Sequence, residues 1–133
     1  MTRIESDPVG EVGGPLGAAI SREIVQIYAR YYGRGPTKAK SVRRNDIVVV
    51  VLEEIFTKAE LVLVHAGRFD QVRSHRQAFQ DEIEPLFRQV VEQATSRPVR
   101  AFLSQVSGDD NGIASEVFVL GDGELREAGE LTA

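Results

Sequence analysis

The chain has no cysteine and no tryptophan, one methionine, and two histidines among 133 residues. Without thiols it forms no disulfide, offers no thiolate nucleophile, and holds no zinc ribbon or cysteine-ligated iron–sulfur cluster. This suits a reducing compartment, and a cytoplasmic location is the expectation. Long apolar runs are missing as well: the longest, Ile47 to Leu52, has the length of a strand, far short of the ~20 residues of a membrane-spanning helix. The opening residues, Met1 to Asp7, carry acids and no apolar stretch, so they do not read as a secretory signal. No serine stands in a Gly-x-Ser-x-Gly elbow, and neither a nucleophile–base pair nor a cofactor motif is readable. A non-enzymatic chain without a cofactor is therefore expected.

What remains is ordinary globular material, 42% hydrophobic and 27% charged, enough for one domain with its own core. Residues 1–14, with Asp7, Pro8, Gly10, Gly13 and Gly14, lack a hydrophobic period and read as a flexible leader. Residues 15–121 form the single domain, and residues 122–133 a flexible tail.

Leu16, Ile20, Ile24, Ile27 and Tyr31 recur at helical spacing from Pro15 onward. Gly33 and Pro36 close that helix. Thr37–Val42 reads as a short polar strand, Arg43-Arg44-Asn45-Asp46 as a turn, and Ile47–Leu52 as a central strand covered on both faces. Thr57-Lys58-Ala59-Glu60 has capping-box spacing and starts a short helix that Gly67 closes. A long helical pattern follows through Val72, Phe79, Ile83, Leu86, Phe87, Val90 and Val91, with a kink or break expected near Glu84 because Pro85 lies inside it. Val99–Val106 and Ser115–Leu120 form a second hairpin across a Gly/Asp/Asn-rich loop. The expected fold is α+β: a mainly antiparallel four-stranded sheet covered on one face by three helices, in the order α-β-β-α-α-β-β.

Acidic residues are also absent locally. None lies between Glu23 and Asp46, an interval that holds Arg30, Arg34, Lys38, Lys40, Arg43 and Arg44 together with all three tyrosines, Tyr28, Tyr31 and Tyr32. Six cations in a chain of net charge −4 leave −10 for the remainder. Arg34 is flanked by Gly33 and Gly35, where backbone can approach a ligand closely. Lys38 and Lys40 share a face if their segment is extended. Arg34, Lys38, Lys40, Arg43, Arg44 and Tyr32 are thus candidates to bind an anionic ligand or an acidic partner, with Gly33, Gly35 and Pro36 shaping the loop. The alternatives are a solvated basic edge strand, which discourages edge-to-edge aggregation, and a nucleic-acid-binding module that stacks bases on Tyr31 or Tyr32. The loop is not a Walker loop, because it follows a helix end instead of leading into a helix. His65, Asp70 and His75 lack the four-residue spacing of helical metal sites, and no metal is expected. An open four-stranded sheet leaves edges to cover, so a homo-oligomer, a dimer first, is expected.

Ile20-Ser21-Arg22-Glu23-Ile24 and Tyr32-Gly33-Arg34-Gly35-Pro36-Thr37-Lys38-Ala39 resemble the bacterial MpsC-like family. Asn45-Asp46 with the valine run, Thr57-x-x-Glu60-x-x-Leu63, Gly67, and Glu116 to Leu120 fit the same pattern, so the resemblance covers about residues 16–120. It implies a component associated with a sodium-translocating, membrane-potential-generating system, and it carries over no catalytic motif. The element order also resembles one type of KH nucleic-acid-binding domain, whose Gly-x-x-Gly loop is here Gly67-Arg68-Phe69-Asp70, without the second glycine. The resulting expectation is an accessory or regulatory domain that docks, through its basic loop and strand, an acidic partner or anionic ligand, with a membrane-system component as a candidate partner.

Overall fold

The structure is a computed structural model that describes residues 14–123. The expected leader and most of the expected tail lie outside the described residues. Helix α1 (Pro15–Tyr32) begins with its proline in the first turn and ends on Gly33, whose φ of 85° is the left-handed cap conformation. Strands β1 (Lys38–Arg44) and β2 (Ile47–Glu53) follow, then α2 (Lys58–His65), α3 (Phe69–Thr95), β3 (Val99–Val106) and β4 (Ala114–Leu120). The sheet order is β1-β2-β4-β3 and every pairing is antiparallel. The chain is thus α+β, with three helices and four strands among the described residues.

All three helices lie on one face of the sheet. Ile20, Ile24, Ile27 and Tyr28 of α1 meet Val48, Val50 and Leu52 of β2, Phe118 and Leu120 of β4, and Val72, Ile83, Phe87 and Val91 of α3. Phe87, Phe102 and Phe118 stack in succession at 5.7 and 5.0 Å between centroids, tying α3 to the sheet. The capping box is formed: the Glu60 backbone N–H donates to Thr57 Oγ1 at 3.1 Å, and the Thr57 N–H donates to Glu60 Oε1 at 2.9 Å.

Three local expectations are corrected. β1 runs through Arg43 and Arg44, and the turn shrinks to Asn45-Asp46, where Asn45 takes the positive φ of 53° that asparagine tolerates. Helix α3 continues without a break through Pro85. The buried side chains Ile83 and Phe87 on either side of the proline belong to one core, so packing keeps both halves helical although the proline offers no donor. Finally, β2 is central but is covered on one face only. Val48, Val50 and Leu52 are fully buried while Ile47, Val49, Val51 and Glu53 are not, because no described helix packs on the other side.

Candidate functional site

The basic segment is divided by the alternation of β1. Ala39, Ser41 and Arg43 stand opposite Leu52, Val50 and Val48 in the ladder, so they face the helices. Ser41 is buried there and shares a hydrogen bond of 2.7 Å with Ser21 on α1. Lys38, Lys40, Val42 and Arg44 face the opposite way, opposite Glu53, Val51, Val49 and Ile47. Lys38, Lys40 and Arg44 are therefore brought onto one face, and Arg43 is not.

Arg34 goes elsewhere. Its Nη1 donates to the Phe56 carbonyl at 3.1 Å, and it lines a cavity of about 440 Å³ with Glu53, Glu54, Phe56, Asp110 and the Asn111-Gly112 turn. Gly35 lets the loop lie against α1, because a Cβ there would meet Val25 at 3.3 Å and Ala29 at 3.5 Å. Pro36 is buried behind it. The tyrosines also separate. Tyr31 is exposed with the Arg30 guanidinium 5.9 Å from its ring centre, Tyr28 is buried, and Tyr32 stacks on Phe79 at 5.2 Å. His65 pairs with Asp110 at 3.2 Å and His75 packs on Phe79, so the two histidines do not converge.

The face that carries Lys38, Lys40 and Arg44 is bare among the described residues. Register places Val42, Val49, Val117 and Leu103 in one row across all four strands, and Ile47, Val119 and Ala101 in the next. Leu103 is 55% exposed and Ile47 38%. A contiguous apolar surface of this kind, bordered by cations on β1, is unusual for an isolated domain.

A second constellation lies between the helices and the sheet. Arg76 on α3 is 1% exposed and Glu116 on β4 is 0% exposed. The Arg76 guanidinium grips Glu60 with Nε at 2.8 Å and Nη2 at 2.7 Å, and Nη2 also donates to the Ile55 carbonyl at 2.9 Å. It packs 4.1 Å from the centre of the Tyr32 ring and 5.6 Å from that of Phe56. Glu116 accepts a hydrogen bond from the Tyr28 hydroxyl, and Gln80 Nε2 donates to the same hydroxyl at 3.4 Å.

Burial pushes Glu116 up to about 7, against the Tyr28 hydrogen bond and the Arg76 charge that pull it down. Burial also raises Glu60, but the hydrogen bonds from Arg76 and the Thr57 backbone outweigh it and leave that carboxyl below its ordinary value. Desolvation raises Tyr28 well above its usual range and Tyr32 to about 12, so both hydroxyls stay protonated.

Sequence reasoning did not single out this network, although two signals mark it. Val72, Arg76, Gln80, Ile83, Phe87 and Val91 share one helical stripe, so a cation and an amide sit where the period calls for apolar residues. Ala114, Glu116, Phe118 and Leu120 alternate inward on β4, with the glutamate among them.

Fold and site together define a small α+β domain with a bare, cation-bordered sheet face and a buried arginine–glutamate network. No described helix is long and apolar enough to cross a membrane. The chain belongs to the MpsC family, matching over residues 13–122 the family described as Na+-translocating membrane potential-generating system (MpsC). No curated protein and no solved structure matches it.

Proposed function

We propose that the chain is a non-enzymatic accessory domain that docks an acidic protein partner, a component of the membrane system for which its family is named, on the open face of its sheet. One observation carries this reading: among the described residues the row Val42, Val49, Val117 and Leu103 is bare, and Lys40 borders it on β1. An apolar centre with a charged rim is the anatomy of a specific interface, in which the buried centre supplies affinity and the rim supplies orientation and on-rate. Lys38 stands opposite Glu53, whereas Lys40 stands opposite Val51, so Lys40 is the cation best placed to meet an incoming carboxylate. Arg34, held in its own cavity, and Arg43, turned toward the helices, fall outside this surface. The unpaired edges of β1 and β3 suit a homodimer as the resting assembly, a state that light scattering reads directly.

The test is a pull-down of the membrane-system component with the Lys38→Glu, Lys40→Glu double variant. Reversing two rim charges should weaken capture about tenfold or more and flatten its dependence on salt. A folded double variant that captures the component as well as the parent chain overturns the reading. The nucleic-acid alternative has only Tyr31 exposed for stacking, since Tyr32 is engaged with Arg76 and Phe79.

A further inference from the structure

A cleft of about 360 Å³ opens between α3 and the edge strand β3. It is lined by Arg73, Arg76, Gln77, Gln80, Ser104 and Gln105, together with Val106. Two arginines, three amides and a hydroxyl line it, and no acidic residue does. Its size lies at the lower end of small-molecule sites.

The buried part of the lining is not hydrogen-bonded to completion. Arg76 commits Nε and Nη2 to Glu60 and Ile55, but its Nη1 has no partner, and neither does Gln80 Oε1. Both residues are more than nine-tenths buried. A buried guanidinium N–H left without a partner is costly, and a ligand that accepts from it removes that cost. Of the residues that line the cleft, Arg76 and Gln80 are thus the two whose buried polar atoms are left unmet.

We propose that the cleft between α3 and β3 binds a small oxyanion, a carboxylate or a phosphate group, with Arg76 at its floor and Arg73 at its mouth. Arginine presents paired N–H donors to such a group. Ser104 can donate its hydroxyl to a remaining ligand oxygen. Arg73 is exposed, 3.8 Å from Asp70 and with its guanidinium 4.8 Å from the centre of the Phe69 ring, surface contacts that a bound oxyanion would compete with.

The surroundings also set a pH dependence. Glu116 lies beneath the floor. Facing it are Tyr28 and Tyr32 from α1, Arg76 and Gln80 from α3, and Ser104 from β3, with Glu60 of α2 beyond the arginine. An ionised Glu116 opposes a bound anion, so binding is tighter with Glu116 protonated and weakens as pH rises through about 7.

The experiment is an amide NMR titration of the whole chain with inorganic phosphate and, separately, with succinate, against sodium chloride at equal ionic strength. Saturable shifts confined to residues 73–80 and 103–106 in either arm are expected, and the arm with the tighter curve identifies the source of the oxyanion. Arg73→Glu, an exposed change that leaves the fold intact, should weaken binding about tenfold. In the succinate arm, whose ligand keeps its charge over this range, Glu116→Gln should bind equally at about pH 6.5 and about pH 8 while the parent chain does not. Shifts no different from those in chloride, or an Arg73→Glu variant that binds like the parent, overturn the proposal. Lys38→Glu, Lys40→Glu should bind the oxyanion normally, so failure here is separable from failure of partner docking.

Discussion

Arg76 shows how much one residue can be asked to do. Burying a guanidinium forfeits several kcal/mol of hydration, returned only when geometry is good and its N–H groups are met. Here Glu60 receives two of its donors, and the same Glu60 closes the α2 capping box. Glu116 is the less settled partner. Its folded value near 7 lies above the ordinary 4.5, so the folded chain holds its proton more tightly than the unfolded one. The stability it contributes is complete below about 4.5 and is lost as pH rises to about 7, a decline on the order of 3 kcal/mol. Glu116→Gln should remove that decline, as read by urea unfolding across this range. Glu60 has the opposite sign: its lowered value contributes stability present above the ordinary carboxylate range and lost at more acid pH, so the two windows do not overlap.

At the scale of elements, α3 carries the clearest tension. Twenty-seven residues run through an exposed proline without interruption, which is tolerable because Ile83, Phe87 and Val91 anchor the helix along the core. Pro85→Ala restores a backbone donor and relieves the ring's clash with the preceding turn, and should stabilise the chain by about 1–3 kcal/mol, measured as a higher urea midpoint at unchanged slope. Of the kink or break that Pro85 predicts, the break is overruled by packing on both sides. The capping box at Thr57, by contrast, was legible from four residues because each of its bonds is local.

At the scale of the whole molecule, three helices cover one side of a four-stranded sheet, and among the described residues the other side is bare. Leu103 and Ile47 are exposed in the bare rows, at 55% and 38%, so Leu103→Ser with Ile47→Thr should change folding stability by less than about 1 kcal/mol. The same pair should reduce binding of a hydrophobic dye, because it breaks the contiguous apolar surface. A large loss of stability instead would mean that those side chains belong to the core. The acid-free interval was readable as a run of charge, but its division was not. Lys38, Lys40 and Arg44 go one way, Arg43 the other, and Arg34 into a separate cavity among Glu53, Glu54 and Asp110.

The sequence by itself determined the order and type of every element, the cap at Gly33, the box at Thr57 and Glu60, and the family, since each rests on near neighbours along the chain. Only the tertiary structure decided which side of the valine-rich strand stays bare, how the six cations separate, and that Arg76, Glu60 and Glu116 meet. Those outcomes depend on strand register and on which face the helices occupy, and contacts between residues far apart in sequence leave no local pattern from which to read them.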